Sequence, residues 1–378
     1  MEPGATQLPG LNEAQRAVQA KARAFAAEHL APNATRYDRE GGFPTETLQA
    51  LAKAGLMGVN IAKKYGGSEA GVVAYAVAVR ELALACAGTA VGMMVTNMVA
   101  EAIAKFGDED QRQRWIPRIM SGEWPAAGFS LSEPGAGSDA GGLKTTAVRH
   151  GDHYILEGTK SWVTSGGHAG LYLIMAVTDA AAGSRGISAF LVPADAEGLT
   201  ATKPEEKMGQ HASATTELVL QSCEVPVADR LGPEGIGFKV AMTSLDGGRV
   251  GVSAQACGVA TAAFAQLRAL GAARGVDGLE ALIADSGAEL EAGWLMCLRA
   301  ARLKDAGARL TREAAMAKMY CSEMASRVTE RAMQAHGRAG FTAPAEKLMR
   351  DVRITRIYEG TNQIQRLVVA REVIKGFS

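Results

Sequence analysis

Residues 353–366, RITRIYEGTNQIQR, place a single carboxylate, Glu359, between an aromatic residue and a glycine. Apolar residues repeat at threes and fours on both sides of this point, which predicts two amphipathic helices separated by a short break. Gly360 is the natural helix breaker, and either Thr361 or Asn362 can cap the second helix. The stretch therefore predicts a carboxylate on a hinge between two helices.

Tyr358 directly precedes this carboxylate and can shield it from solvent. A partly desolvated carboxylate has a raised pKa, which brings it into the range useful for a general base. A solvated glutamate at a helix end is the alternative that the motif alone leaves open.

Length and charge limit the possible functions. A chain of 378 residues predicts two or three domains. Lysine plus arginine and aspartate plus glutamate both number 40, so no basic field indicates nucleic acid or an anionic membrane as a partner. The five cysteines lack metal-site spacing, and residues 1–4, MEPG, do not begin a signal-peptide pattern. These observations predict a cytoplasmic protein without a metal site.

The periodicity changes twice along the chain. Residues 1–123 show helical spacing with many alanines and include a methionine-rich helical run at 91–106. Residues 124–236 contain short apolar or alternating segments separated by turn residues, and the segments expected as strands are 154–156, 171–177, 188–192 and 218–220. Helical spacing returns at about residue 238, which gives a third domain of residues 237–378. This order, by blocks and without alternating strands and helices, predicts an α+β chain of three domains rather than a doubly wound sheet.

A glycine-rich stretch, residues 133–142 (EPGAGSDAGG), lies near the start of the β block. Its glycines at 135, 137 and 141 are one residue off the GxGxxG spacing, which argues against a dinucleotide-binding turn. The stretch can approach a phosphate closely, with Ser132 and Ser138 as hydroxyl donors, or it is a plain glycine loop.

Taken together, the motifs resemble the acyl-CoA dehydrogenase family, most closely its short-chain (butyryl-CoA) type. The matching stretches occur in the family's order and cover nearly the whole chain. They are residues 65–67 (YGG), 129–139 (FSLSEPGAGSD), 158–164 (GTKSWVT), 232–238 (GPEGIGF), 245–249 (LDGGR), 349–354 (MRDVRI) and 358–366 (YEGTNQIQR).

The resemblance implies an N-terminal helical domain, a middle β-barrel-like domain and a C-terminal four-helix bundle. It also implies FAD between the last two domains, completed by a neighbouring subunit of a homotetramer. The implied reaction converts a short acyl-CoA or acyl-carrier-protein thioester to the trans-2-enoyl thioester and passes electrons to an electron-transferring flavoprotein. Glu359 would remove the α-proton while the β-hydrogen leaves as hydride to flavin N5.

The resemblance also assigns roles by position. Residues expected to line the flavin ring are Phe129, Leu131 through its main chain, Ser132, Trp162 and Thr164. Thr361 and Gln363 are expected at the phosphate and ribityl region, and Arg274, Gln334, Gly337 and Arg338 at the far end of FAD. The substrate is expected to meet Ser138, Asp246, Arg249, Tyr358 and Gly360. The structural alternatives are Trp162 as a core residue, Thr164 as an ordinary strand residue, and Asp246 with Arg249 as a local ion pair on a helix.

Gly248 occupies the position from which two branches of the family supply the base. Glycine cannot serve, so the resemblance leaves Glu359 as the base. No arginine lies among residues 88–95, which disfavours a glutaryl-type substrate.

The chain departs from the family pattern after Arg274, where it continues GVDGL instead of the usual FGxPI and the loop is shorter. Arg338 stands in place of a glycine, and His211 in place of an arginine. Three interpretations follow: FAD binds through altered contacts, a different partner subunit completes its site, or the fold serves non-redox chemistry such as isomerisation. Intact flavin-ring motifs favour the first interpretation.

Overall fold

The computed structural model describes residues 10–342 and 344–375. Residues 1–4, where no signal peptide was expected, lie outside the described part of the chain. The N-terminal helices are α1 Glu13–Phe25, α2 Ala31–Glu40, α3 Thr45–Lys53, α4 Gly71–Ala85, α5 Ala87–Phe106 and α6 Glu109–Met120.

Helix α1 begins where the sequence provides a capping box. The Asn12 side chain accepts a hydrogen bond from the backbone of Gln15, and the Gln15 side chain accepts one from the backbone of Asn12. Helix α4 is capped from a distance, because the Asp305 carboxylate accepts from the backbone N–H groups of Val72 (2.6 Å) and Val73 (3.0 Å). This cap ties the N-terminal helices to the C-terminal ones.

The middle part forms one sheet of seven strands in the described residues. The strands are β1 Ala127–Ser130, β2 Thr146–His150, β3 His153–Thr164, β4 Leu171–Val177, β5 Ile187–Pro193, β6 Leu199–Ala201 and β7 Thr215–Pro226. Their order is β1-β4-β2-β3-β7-β6, with β5 antiparallel to β4. The middle part has a separate hydrophobic core, which is built around Tyr154, Tyr172 and Phe190.

The C-terminal helices are α7 Gly237–Arg274, α8 Glu280–Asp305, α9 Thr311–His336, α10 Ala345–Arg353 and α11 Asn362–Lys375. Helices α7, α8 and α9 pack on one another, and α7 and α8 also pack on α4. Small residues keep α7 close to α4: a Cβ added at Gly258 would lie 2.5 Å from the Arg80 carbonyl oxygen. Free cysteines Cys257, Cys297 and Cys321 are buried in this core.

The predicted α+β organisation is confirmed. The apolar run predicted as a strand at 171–177 is β4, and the helical pattern expected from about residue 238 begins at Gly237. Strands β1, β2 and β6 were not predicted, since they are short and lack clear alternation. The domain limits at 123/124 and 236/237 stay a prediction.

Two described helices, α5 and α7, are long and apolar enough to cross a membrane by length and composition alone. Most of each apolar window is buried inside the fold, which core helices also show.

Helix α10 leads into the Glu359 turn, and polar contacts fix this helix against the N-terminal helices and the middle domain. Arg350 pairs with Asp38 of α2 at 2.6 Å. The loop before β7 also contacts α10, because the Gln210 backbone N–H donates a hydrogen bond to the Asp351 carboxylate at 2.5 Å. His211 also lies here, with its ring nitrogens 2.6 and 2.7 Å from the backbone oxygens of Asp38 and Lys207. The three parts therefore meet immediately upstream of the turn.

Candidate active site

The predicted hinge is a tight turn with two successive left-handed residues. Glu359 has φ +56° and Gly360 has φ +85°. The turn follows a short 3-10 helix, Ile354–Arg356, and ends where Thr361 accepts a hydrogen bond from the backbone N–H of Ile364 at 3.3 Å. Thr361 therefore caps α11, one of the two predicted caps. A glutamate with positive φ is strained, and such strain persists only where the surroundings impose it.

Three side chains hold the two carbonyl groups of this turn. Gln365 donates to the oxygens of Glu359 (3.0 Å) and Gly360 (2.8 Å), and Lys318 donates to the Gly360 oxygen at 2.8 Å. Arg249 makes a longer contact, 3.5 Å, to the Glu359 oxygen. Neither Lys318 nor Gln365 was predicted as a site residue.

The Glu359 carboxylate lies against the backbone of α7 at Gly248. A Cβ built there would lie 2.4 Å from Oε2 of Glu359. Oε2 is buried and has no hydrogen-bond partner among the described residues. Burial raises the pKa of Glu359 to about 7, although the charges of Arg249 and Lys318 oppose this shift. Such a carboxylate can accept a proton near neutral pH.

Tyr358 connects the turn with an apolar wall. Its ring packs on α5 against Val91, Val95 and Met98, and Phe129 packs on the same three side chains. The phenol donates a hydrogen bond to Oε1 of Gln255 in α7. A predicted substrate residue and a predicted flavin residue thus border one cluster.

Asp246 and Arg249 form the ion pair that the sequence left open as the structural alternative, at 2.7 Å. Arg249 is buried, and Asp246 also accepts a hydrogen bond from Thr311 at 2.7 Å. This pair orients the Arg249 guanidinium beside the Glu359 turn. Contact of either residue with CoA stays a prediction.

A buried ion pair supports the main chain of Leu131, one of the residues predicted to line the flavin ring. Lys160 of β3 donates to Glu133 at 2.8 Å and to the main-chain oxygen of Leu131 at 3.3 Å. Glu133 also accepts from the backbone N–H groups of Lys144 (2.6 Å) and Thr145 (2.9 Å). Burial lowers the pKa of Lys160 to about 8, and hydrogen bonds and the lysine charge lower the pKa of Glu133 despite its burial. Through Lys160, the pair holds the Leu131 main chain against β3.

Trp162, another residue predicted to line the flavin ring, is exposed to solvent. It has φ +62°, lies at a register shift between β3 and β7, and is 63% exposed, so the core alternative for Trp162 is wrong. Thr164 ends β3 opposite Thr215, and the Ser132 oxygen accepts from the backbone of Ser161 at 2.9 Å.

The remaining predicted residues lie at the surface. Ser138 and Gln363 are exposed, and Gln334 and Gly337 line an open groove with Glu330, Met333, Phe341 and Met349. Arg274 ends α7, and Arg338 follows α9 in a 3-10 turn. In the described part of the chain, neither arginine makes a hydrogen bond or ion pair with the Glu359 turn or with Trp162. Their roles at the far end of FAD stay predictions.

Sequence reasoning missed Lys160, Glu133, Lys318 and Gln365 as supporting residues. A signal for Lys318 was available, because Ala314, Ala315 and Cys321, which lie three or four positions from it in the helix, are all apolar. A lysine in such a place is seldom buried without a partner.

Family models match three successive parts of the chain. They describe the N-terminal domain of acyl-CoA dehydrogenase (residues 12–123), its middle domain (128–223) and its C-terminal domain (235–374).

Full-length relatives agree with these models. The short-chain specific acyl-CoA dehydrogenase of Clostridium acetobutylicum is 39% identical over 97% of this chain and 99% of its own. Butyryl-CoA dehydrogenase from Megasphaera elsdenii superposes with a TM-score of 0.94 at 38% identity, covering 96% and 99% of the two chains. A chain from the structure of the electron transferring flavoprotein of Acidaminococcus fermentans gives a TM-score of 0.95 at 38% identity, covering 97% and 99%.

The residues present fit the flavin cofactor of this family. Trp162 offers an uncovered aromatic face in a strained conformation, which suits a planar ring. Near it, Oγ of Ser165 and Oγ1 of Thr216 are buried polar atoms without a hydrogen-bond partner. The family models and the 39% identical relative show that the chain belongs to the acyl-CoA dehydrogenase family, whose members are FAD-dependent oxidoreductases.

Proposed function

We propose that the protein oxidises a short-chain acyl-CoA, or a related acyl thioester, to the trans-2-enoyl thioester, with Glu359 as the base that removes the α-proton. The observation that carries this proposal is the carboxylate itself: Oε2 is buried and lacks a partner among the described residues, and the charges of Arg249 and Lys318 act on the carboxylate. A glutamate with only a structural role would use its oxygens in hydrogen bonds.

The acid–base properties of Glu359 suit this step. Its pKa of about 7 leaves a substantial fraction of Glu359 ionised at neutral pH, and the protonated Glu359 that forms when it accepts the α-proton is also stable at that pH. Arg249 and Lys318 favour the ionised form before the reaction, whereas burial favours the neutral form after it. The environment therefore balances the two forms of the base.

The same residue supports stabilisation of the developing enolate. In the described part of the chain, the backbone N–H of Glu359 donates no hydrogen bond, so it is free to donate to the thioester oxygen. The left-handed turn fixes this N–H relative to the carboxylate, and a preorganised donor stabilises negative charge without reorganising. Base and oxyanion donor then reside on one residue.

When bound, FAD would supply the acceptor for the β-hydrogen and its electron pair, so that loss of the α-proton and of this hydride together would give the enoyl thioester. Leu131, Ser132, Trp162 and Thr164 are the residues we expect to hold the flavin ring. The Lys160–Glu133 pair keeps the Leu131 main chain in place for this contact.

The apolar wall of Val91, Val95 and Met98, with Tyr358, is suited to an acyl chain. The hydrogen bond from Tyr358 to Gln255 fixes the ring at this wall. A short chain is supported by the short-chain specific relative and by the butyryl-CoA enzyme of similar structure.

Partners and assembly belong to the same proposal. We expect an electron-transferring flavoprotein as the electron acceptor and a cytoplasmic homotetramer as the working form. The exposed apolar side chains of Phe341 (77%), Leu367 (51%) and Ile374 (69%) support a contact with another subunit.

The test is Glu359→Gln, compared with the control Glu291→Gln on the exposed face of α8. Both variants are expected to purify as yellow proteins with a flavin spectrum. Butyryl-CoA should bleach the control at the wild-type rate and Glu359→Gln at least about 10²-fold more slowly. Bleaching of Glu359→Gln at the wild-type rate would refute the assignment. A colourless wild-type protein that FAD cannot reconstitute would favour non-redox chemistry or an inactive partner subunit.

A further inference from the structure

Lys318 lies in α9 directly beneath the Glu359 turn, and its side chain is fully buried. Its Nζ donates to the Gly360 oxygen at 2.8 Å and to Oδ1 of Asn362 at 3.0 Å. Both acceptors are neutral, so in the described part of the chain no carboxylate binds this ammonium directly. Burying a cation without a direct counter-ion is costly, and a neutral side chain of the same size would pack equally well. The charge therefore indicates a further role.

Helix α9 grips the turn through more than this residue. Asn362 donates to Oγ of Ser322 (3.0 Å) and to Oε1 of Glu323 (2.9 Å). Glu323 in turn pairs with Arg356 at 2.7 Å, on the other side of the turn. The face of α9 formed by Lys318, Ser322 and Glu323 thus holds the chain before and after Glu359, and Lys318 alone carries positive charge on that face.

The uncompensated charge of Lys318 acts on Glu359. Burial lowers the pKa of Lys318 to about 7, and the nearby Glu359 carboxylate opposes this shift. The other titratable groups that face the pair are Arg249 from α7, Tyr75 from α4, Glu323 from α9 and Tyr358 of the turn itself. Of these, Arg249 already pairs with Asp246 at 2.7 Å. Of the two cations, Arg249 and Lys318, only Lys318 has no carboxylate bound directly to it among the described residues, so its charge acts mainly on Glu359.

We propose that Lys318 is a positioning residue for the base: it fixes the left-handed turn through the Gly360 carbonyl, and its charge favours the carboxylate form of Glu359. This inference rests on the proposed function, because it presumes that Glu359 acts as a base.

The test measures flavin bleaching by butyryl-CoA as a function of pH in Lys318→Met and in Ser322→Ala. Lys318→Met removes the charge and the hydrogen bond, whereas Ser322→Ala loosens the same α9 face without changing charge. We expect the midpoint of the rate profile to rise by about one pH unit in Lys318→Met, with about a fivefold lower rate at neutral pH. Ser322→Ala should keep the wild-type midpoint. Where Lys318→Met does not fold, Lys318→Gln, which retains an amide donor, is read in the same way.

The outcomes separate this inference from the proposed function. An unchanged midpoint and rate in a folded Lys318 variant overturn the role of Lys318, provided that Glu359→Gln is inactive. An active Glu359→Gln overturns the proposed function itself. An equal shift in Ser322→Ala also overturns the role of charge, because the effect would then come from loosening the turn.

Discussion

Replacing Gly248 with alanine tests whether the position of the Glu359 carboxylate matters. The added Cβ would lie 2.4 Å from Oε2 and 2.7 Å from Cδ of Glu359. An ordinary contact needs about 3.4 Å or more, so the carboxylate must move by about 1 Å. A displacement of that size in a reacting group costs about 10²-fold in rate. The fold should tolerate the change, because alanine is favoured over glycine by up to about 1 kcal/mol inside a helix.

The assay is anaerobic flavin bleaching by butyryl-CoA under single-turnover conditions, together with a thermal melt. The matched control is Gly247→Ala, the preceding residue of α7, whose new Cβ would meet Nζ of Lys304 at 2.3 Å instead of Glu359. We expect Gly248→Ala to melt no lower than wild type and to bleach about 10²-fold more slowly, while Gly247→Ala bleaches normally. A wild-type bleaching rate in Gly248→Ala would refute the reasoning.

Two further predictions follow from the charges of the site. The bleaching rate should rise as the pH increases through about 7, because burial raises the pKa of Glu359 to about 7 and only its ionised form accepts the α-proton; a stopped-flow profile that is already flat well below neutrality contradicts this. Lys160→Met should lower the free energy of unfolding by about 3–5 kcal/mol in urea denaturation, because it leaves Glu133 buried without its lysine. The exposed control Lys203→Met should leave that free energy unchanged, and equal stability of the two variants argues against a structural role for the buried pair.

The fold could be predicted from the sequence where periodicity is strong. The apolar run of β4 and the long patterns of α5 and α7 were recognisable because burial imposes a regular spacing. Strands β1 and β6 were missed because three or four residues do not establish a period.

The base was predictable for a different reason. Glu359 lies on a local motif whose helix break, glycine and cap are all contiguous in the chain. The residues that support it come from elsewhere: Lys318 is 41 positions upstream, and the clearance at Gly248 depends on how α7 packs against the turn. Sequence spacing carries no information about such a contact, since packing between distant helices decides it. The same holds for Lys160, whose partner Glu133 lies 27 positions upstream in the chain.

The most direct test of the central claim is exchange of the α-protons of butyryl-CoA with deuterated water, followed by NMR. Proton abstraction by Glu359 predicts that the wild-type protein exchanges these protons and that yellow, folded Glu359→Gln does not. Exchange at the wild-type rate in Glu359→Gln would contradict the assignment of Glu359 as the base.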